Sequence, residues 1–224
     1  MKLLAFDTAT EVCTAALWLD GEVRERLERR SQHSEHLLPM IDALLKEAGV
    51  GLRQLDAIAF GRGPGSFTGL RIGAGIAQGL ALGAGLPLVP VSSLATLAQG
   101  IGAERVLAAF DARMQQVYWG AYWRNSKGLV EPMQAEVVAD PVAVPFPEGH
   151  GWVGGGPGWD VYGKQLEQRL GYAVEHWVAG ALPQARHLAV LAAVAFAAGQ
   201  TVPPENAVPV YIRDGVATRA KSGP

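Results

Sequence analysis

Residues 59–73 read AFGRGPGSFTGLRIG, and this stretch decides the fold. A short apolar strand that ends at Phe60 enters a loop too rich in glycine to be regular structure. The loop opens a helix with glycine at positions 69, 73, 75, 79, 83 and 85. Each glycine inside a helix lowers its stability by about 1 kcal/mol relative to alanine. We therefore expect another part of the protein to pack closely against the backbone of this helix and stabilise it. The helix is apolar nearly all round, which predicts burial on more than one side.

The composition of the 224-residue chain limits the classes of protein to which it can belong. Its formal net charge is −2 and it has no basic block, so no extended nucleic-acid footprint is evident. A single cysteine, Cys13, excludes a disulfide framework and suits a reducing compartment. The N-terminus lacks the pattern of a signal peptide, and the apolar run 188–199 is too short to span a bilayer. We therefore expect a soluble, cytoplasmic protein.

The first half predicts three strands and then alternating helices and strands. Apolar runs indicate strands, Asp20-Gly21 indicates a hairpin, and a 3.6-residue apolar period that stops at Gly49 indicates a helix. Pro39 falls inside that helix, so the helix either begins later than Ser34 or bends at the proline. The predicted elements are strands 3–7, 13–19 and 22–29, helix 34–48, strand 55–60, helix 69–84 and strand 87–91. This order is that of the ribonuclease H-like fold.

The second half restarts the pattern, because segments 3–7 and 106–111 both end in Phe-Asp. Strands 13–18 and 117–123 likewise share an Ala-x-Trp ending. We expect a third strand at 129–138, a Pro-rich stretch at 141–147 in place of a helix, strand and loop at 151–156, helix 161–170, strand 172–177 and helix 187–198. The sequence therefore predicts an α/β protein with two duplicated lobes, 1–102 and 103–224, of which the second is reduced and ends in an extended tail.

Four segments of the chain form a recognisable set: Phe6-Asp7-Thr8-Ala9-Thr10, the 61–73 run, Asp111-Ala112-Arg113 with Val117-Tyr118, and Pro209-Val210-Tyr211-Ile212-Arg213. Together they resemble the TsaB (YeaZ) family. The resemblance implies two ribonuclease H-like lobes of the actin/Hsp70/sugar-kinase (ASKHA) superfamily. It also implies a non-catalytic scaffold or activator that forms a heterodimer with a larger paralogue, TsaD, and works with the ATPase TsaE. That set places threonylcarbamoyl on the adenosine next to the anticodon of tRNAs that read codons starting with A.

The same resemblance implies where cofactors belong. ATP and metal are expected on the partner subunits and none on this chain alone, and tRNA is expected to be contacted only through the complex. In the superfamily, the carboxylates matching Asp7 and Asp111 hold a hydrated metal on nucleotide phosphates, and Thr8 and Thr10 would offer donors to phosphate. The alternative is that these four residues are vestigial turn and cap residues. We favour it, because bulky side chains at 112–115 obstruct the close backbone approach that a phosphate requires.

Several other motifs have a functional and a structural interpretation. The glycines at 154–158 could contact adenosine, but a glycine cluster between strand and helix is more often a turn, and the Lys-Ser/Thr ending of a Walker A loop is missing. His33 and His36 could bind a metal, although no third ligand is near in sequence. Ser66, His36 and Asp42 could form a peptidase triad, which composition alone supports. Segment 91–98 has no histidine, whereas TsaD carries a His-x-x-x-His metal pair there, so we expect no transfer activity.

The two helices of the first lobe carry the remaining functional signal. A helix that covers a sheet needs only one apolar face, so a second apolar face predicts a partner. We expect the partner surface to include Leu38, Ile41, Leu45, Arg71, Gly75, Gly79 and Gly83, with the three glycines forming a stripe that a second helix can approach. Two copies would form a homodimer when alone, and a paralogue would form a pseudo-symmetric heterodimer. The alternatives are an ATP-dependent enzyme of the sugar-kinase type and a peptidase.

Overall fold

The computed structural model describes residues 1–29, 33–146 and 148–212, and these residues form two sheets. The first sheet has the strand order β3-β2-β1-β4-β5, in which β1 pairs antiparallel with β2 and parallel with β4. Its elements are β1 (Lys2–Asp7), β2 (Val12–Leu19), β3 (Glu22–Arg29), α1 (His33–Ala48), β4 (Ala57–Gly63), α2 (Phe67–Ala84), β5 (Leu88–Ser92) and α3 (Ser93–Ile101). The parallel pairs require crossovers, and α1 and α2 supply them.

The second sheet repeats the arrangement, with strand order β11-β10-β6-β7-β8 and β9 also paired to β7. Its elements are β6 (Arg105–Asp111), β7 (Val117–Arg124), β8 (Val130–Pro132), β9 (Val137–Ala139), β10 (Trp152–Gly155), α4 (Pro157–Leu170), β11 (Val174–Val178) and α5 (Ala185–Ala197). As in the first sheet, the opening strand pairs antiparallel with the second strand and parallel with a later one. The duplicated order predicted from the sequence is therefore present.

The two faces of the first sheet are covered by different helices. Helices α1 and α2 pack on one face around Leu4, Phe6 and Phe60. Helix α5 packs on the opposite face, although its sequence belongs to the second half of the chain. Helix α3 conversely packs on β6 of the second sheet. The lobe boundary after residue 102 stays a prediction, since these two helices join the two lobes.

The N-terminus of α5 is tied to the first sheet by polar contacts. The hydroxyl oxygen of Thr14 accepts a hydrogen bond from the backbone N–H of Ala185 at 3.0 Å. The carboxylate of Glu25, whose side chain is 6% exposed, accepts one from the N–H of Arg186 at 3.0 Å and also pairs with its guanidinium. An anionic acceptor satisfies the unpaired N–H groups of the first helical turn, so these strand residues fix where α5 docks.

Several element predictions need correction. Helix α3 was not predicted, α2 and α4 begin before the predicted positions 69 and 161, and the predicted strand 129–138 is two short strands that pair with opposite ends of β7. Helix α1 begins at His33 and includes Pro39, so a start later than Ser34 is wrong. Within residues 1–29, 33–146 and 148–212, the chain forms no helix with the length and apolarity needed to cross a bilayer.

Candidate functional site

Asp7 lies at the end of β1 with its carboxylate committed to internal hydrogen bonds. The residue is 1% exposed, and its Oδ2 accepts from the hydroxyl of Ser93 at 2.6 Å while its Oδ1 accepts from the N–H of Ala9 at 2.7 Å. Burial raises the pKa of Asp7 to about 6, although both hydrogen bonds oppose the rise. A Cβ at Gly61 would stand 1.9 Å from Oδ2, so only glycine leaves room for this carboxylate.

The glycine run presses directly on the turn that follows Asp7. The Thr8 hydroxyl donates to the carbonyl of Gly69 at 2.8 Å, and Thr8 is 1% exposed. A Cβ at Gly69 would lie 2.0 Å from the Thr8 carbonyl oxygen, and one at Gly73 would lie 2.5 Å from Oγ1 of Thr8. A Cβ at Gly65 would meet the carbonyl of Ala9 at 2.4 Å. This is the close approach that the glycine content predicted, and it occupies the Thr8 hydroxyl that a phosphate would need.

Thr10 and His33 are joined by a hydrogen bond beside this turn, and His36 has a separate partner. The Thr10 hydroxyl accepts from the N–H of Val12 at 3.4 Å, and the Thr10 carbonyl accepts from Nε2 of His33 at 2.9 Å. Burial lowers the pKa of His33, which is the direction expected for a buried imidazole. His36 pairs through Nδ1 with the Glu28 carboxylate at 3.2 Å. Among the described residues no group of three or more His, Cys, Asp or Glu side chains is arranged to hold a metal ion.

Asp111 occupies the matching place at the end of β6 but is part of a different loop. Its Oδ1 accepts from the N–H of Arg113 at 2.9 Å and from the hydroxyl of Tyr162 at 3.4 Å. Arg113, Met114 and Gln115 have consecutive φ values of 61°, 52° and 59°, which non-glycine residues adopt only under strain. The three residues are exposed and none is a glycine, so the loop lacks the close backbone approach that a phosphate requires. As they stand, the surroundings of Asp7 and Asp111 do not fit a metal–nucleotide group.

The glycines at 154–158 allow close packing in the second lobe, because side chains at these positions would clash with their neighbours. A Cβ at Gly154 would lie 2.5 Å from the Trp159 ring, and one at Gly156, where φ is 107°, would lie 2.4 Å from the carbonyl of Ala109. Trp159 is fully buried and donates through Nε1 to the carbonyl of Leu107 at 2.8 Å. These glycines let the start of α4 press on β6, as Gly69 lets α2 press on the turn after β1. These contacts agree with the interpretation of the motif as a tight turn between strand and helix.

A cavity of about 240 Å³ lies between the lobes. Its lining includes Leu97, Ile101, Leu182 and His187. Pockets that bind nucleotide-sized or drug-sized ligands occupy about 300–1,000 Å³. The volume of this depression, which is partly open to solvent, is below that range.

The proposed peptidase triad is not assembled. Ser66 caps α2, its hydroxyl accepting from the N–H of Gly69 at 3.3 Å. Asp42 pairs with Lys46 at 2.7 Å on the same helix, and His36 pairs with Glu28. Because the three side chains have separate partners, the hydrogen-bond chain from acid to base to nucleophile is missing.

Segment 91–98, which has no histidine, joins the two lobes. The Ser92 hydroxyl caps α3 by accepting from the N–H of Ala95 at 3.1 Å, and Ser93 donates to Asp7. The hydroxyl of Ser92 also donates to the Glu136 carboxylate of the second lobe. Buried Tyr122 donates to the same carboxylate oxygen at 2.6 Å. The sequence carried no signal for this network, since its members are distant along the chain.

The predicted glycine stripe is open to solvent. Gly75, Gly79 and Gly83 are exposed, and a Cβ at any of them would meet nothing within 4 Å. Leu82 on the same helix is 76% exposed, and Leu38 of α1 is 46% exposed. The described part of the first lobe therefore leaves an apolar helical surface uncovered.

One of the predicted surface residues lies in the core, and another is only partly exposed. Ile41 is 3% exposed and packs in the core beneath α1, so its inclusion in the partner surface is wrong. Leu45 is half-buried against the same core. The guanidinium of Arg71 stacks 3.7 Å from the ring centroid of Phe67, and its Nε donates to the hydroxyl of Tyr211 at 3.1 Å. Arg71 is therefore part of an aromatic cluster at one end of the stripe.

Comparisons with known proteins place the chain in a family. The family model for TsaD, tRNA N6-adenosine threonylcarbamoyltransferase, matches residues 28–150. The tRNA threonylcarbamoyladenosine biosynthesis protein TsaB of Escherichia coli (strain K12) is 45% identical, with 100% of this chain and 99% of that protein aligned. The TsaB of Haemophilus influenzae is 39% identical over 100% of this chain and 98% of that protein.

Solved structures agree with the sequence matches. A structure of YeaZ from Pseudomonas aeruginosa superposes with a TM-score of 0.85 at 46% identity, covering 94% of this chain and 99% of that one. A second P. aeruginosa structure, of an uncharacterized protein with similarity to peptidase YEAZ, gives a TM-score of 0.88 at 44% identity over 95% and 99%. The predicted α/β class with two ribonuclease H-like lobes of the ASKHA superfamily is confirmed. The chain belongs to the TsaB (YeaZ) family, whose named members are tRNA threonylcarbamoyladenosine biosynthesis proteins.

Proposed function

We propose that this chain is the non-catalytic scaffold and activator subunit of a tRNA threonylcarbamoyltransferase complex. It acts with a TsaD paralogue, which performs the transfer, and with the ATPase TsaE. The product is threonylcarbamoyladenosine next to the anticodon of tRNAs that read codons starting with A. The names of its relatives support the pathway, and the match of the TsaD family model supports the paralogy.

The observation that carries the non-catalytic assignment is that Asp7 and Thr8 form their hydrogen bonds inside the fold. Both oxygens of Asp7 accept hydrogen bonds from the chain itself, and the Thr8 hydroxyl donates to Gly69. Asp7 and Thr8 are each 1% exposed, so a metal or a phosphate could reach them only if the close packing of Gly61 and Gly69 against them were disrupted, which is costly. In segment 91–98 the side chains of Ser92 and Ser93 serve as a helix cap and as a donor to Asp7.

The open stripe on α2 supports a protein partner. Gly75, Gly79 and Gly83 allow two helix backbones to approach closely, and the exposed Leu82 and Leu38 supply apolar area beside them. The TsaD family model covers residues 28–150, a range that contains both α1 and α2. A TsaD protein would accordingly present an equivalent helix pair, and the two pairs would form a pseudo-symmetric four-helix contact. In the absence of TsaD, two copies of this chain would form a homodimer through the same surface.

The partner surface is tested by substituting Gly79 and titrating each variant with TsaD in a calorimeter. A leucine at this position places a side chain in a contact that has no room for one, which costs about 1–3 kcal/mol and weakens binding about 5-fold to 150-fold. The matched control is Gly79→Ala, which adds one methyl group and should have a smaller effect. Far-UV circular dichroism confirms that both variants fold. Unchanged affinity of folded Gly79→Leu for TsaD would place the interface elsewhere.

The principal alternative is an ATP-dependent enzyme of the sugar-kinase type that uses Asp7 and Asp111. It is favoured only by the position of these carboxylates at the ends of β1 and β6. Titration of the isolated chain with Mg-ATP separates the two functions, because the scaffold needs neither ATP nor metal of its own. We expect no heat of binding, and saturable Mg-ATP binding would favour the alternative. A cytoplasmic location and contact with tRNA only through the complex complete the proposal.

A further inference from the structure

Residues 207–212, which we call the C-terminal strap, lie along α2 in the opposite direction. The side-chain amide of Gln78 donates to the carbonyl of Ala207 at 3.1 Å. Further along the strap, the N–H of Val210 donates to the carbonyl of Arg62 at 2.8 Å. Ala207 is 1% exposed and belongs to the core beneath α1 and α2. The strap is thus fixed to the first lobe at both ends, although it comes from the C-terminal part of the chain.

The strap brings Tyr211 to the start of α2, where three large side chains meet. The Arg71 guanidinium carbon lies 3.7 Å from the ring centroid of Phe67 and 5.9 Å from that of Tyr211. The two rings are 5.6 Å apart, and Arg71 Nε donates to the Tyr211 hydroxyl at 3.1 Å. Phe67 nevertheless remains 56% exposed and Tyr211 44% exposed. Aromatic and arginine side chains that are already ordered before binding are the usual energetic centres of protein interfaces.

This cluster continues the glycine stripe. Phe67, Arg71, Gly75, Gly79 and Gly83 follow one another at four-residue spacing, so they form one exposed row that is inclined to the axis of α2. The glycines leave this part of α2 without side chains, whereas the large side chains of Phe67, Arg71 and Tyr211 are exposed at its N-terminal end. The strap lies along one side of α2, with its Val208 60% exposed. The resulting surface has the shape and apolar character of a seat for a helix.

We propose that the C-terminal strap forms part of the docking surface for a helix of a TsaD-family protein, with Phe67, Arg71 and Tyr211 as its main anchor. This inference rests on the proposed function. The TsaD family model ends at residue 150, so it includes α2 but not the strap. The region that matches TsaD therefore contains both helices, and the strap lies outside that region. The strap makes the docking surface larger than the surface of the two helices alone, and it adds Tyr211 at one end of that surface.

The test is calorimetric titration of TsaD with the full-length chain and two anchor variants. Tyr211→Ala removes the ring and the contact to Arg71, and it should weaken binding at least about tenfold. Arg71→Met keeps a long apolar stem but removes the guanidinium stack, and it should weaken binding to a smaller extent. The matched control is Tyr172→Ala, which removes a 90% exposed ring from the second lobe and should leave affinity unchanged. Thermal unfolding of each variant confirms that it folds.

Failure of this inference and failure of the proposed function give different results. If Gly79→Leu weakens TsaD binding while Tyr211→Ala and Arg71→Met bind as tightly as the parent, the strap is not part of the interface and the inference is wrong. If the parent chain does not bind TsaD, or if all three variants leave affinity unchanged, the proposed partner surface itself is wrong. Weakening by both anchor variants, with Tyr172→Ala unchanged, supports the strap.

Discussion

Replacing Asp7 by asparagine should change how the stability of the protein depends on pH. Burial raises the pKa of this carboxyl to about 6 from an ordinary value of 3.8, so the folded chain binds the proton more tightly than the unfolded chain does. Asparagine stays neutral at every pH and fits the same site. Its carbonyl can accept from the N–H of Ala9, and its amide can donate to the Ser93 hydroxyl.

The size of the effect follows from the two pKa values. A tenfold difference in proton affinity corresponds to about 1.4 kcal/mol, so a rise from 3.8 to about 6 corresponds to about 3 kcal/mol. Because the folded-state pKa is the higher one, the contribution is fully present below pH 3.8 and is lost as pH rises through about 6. Asp7 is 1% exposed, so screening by solvent does not reduce this value. Above this range the cost of the buried charge is constant.

The assay is urea unfolding of the parent and of Asp7→Asn at several pH values between 4 and 7.5. The difference in their free energies of unfolding cancels the titration of all other groups, and it should shift by about 2.5 kcal/mol against the parent between pH 4 and 7.5. Ser93→Ala provides a control, because loss of this donor destabilises the carboxylate and should raise the pKa of Asp7 further. A difference that stays constant with pH would refute the assignment of Asp7 as a buried titrating group.

Two other predictions concern the glycine run and the second carboxylate. Gly69→Ala should destabilise the fold by about 1–3 kcal/mol or more, because its Cβ would stand 2.0 Å from the Thr8 carbonyl, whereas Gly79→Ala should gain up to about 1 kcal/mol of helix propensity. Urea midpoints measure both, and shifts in the same direction would contradict this account. Asp111→Ala should leave tRNA modification by the full set of proteins within tenfold of the parent, since we propose a vestigial role. A larger loss, more than about 1.4 kcal/mol, would restore a functional nucleotide or metal site.

The first lobe could be predicted from local signals. The Asp20-Gly21 hairpin, the apolar period of α1 and the glycine-rich start of α2 each specify an element within a short window. Helix α3 was missed because it has only nine residues, although Leu94, Leu97 and Ala98 follow a helical apolar period and Ser92 caps its start. The strand at 129–138 was overextended because its apolar pattern does not reveal that its two ends pair with different parts of β7.

The candidate site was less predictable because its contacts are distant in sequence. The hydrogen bond from Ser93 to Asp7 joins residues 86 positions apart, and the contact between Arg71 and Tyr211 joins residues 140 apart. Glycine spacing predicted close packing but could not separate the glycines that meet Thr8 from those that face solvent. Helical periodicity likewise placed Ile41 on a broad apolar face without showing that it lies on the core side.

The most direct test of the central claim is reconstitution of the transfer reaction from purified components. This chain is incubated with tRNA and threonylcarbamoyl-adenylate, first alone and then with TsaD and TsaE, and the modified nucleoside is quantified by mass spectrometry after digestion. We predict no threonylcarbamoyladenosine without TsaD, and its formation when all three proteins are present. Threonylcarbamoyladenosine formed by this chain alone would contradict the assignment of a non-catalytic subunit.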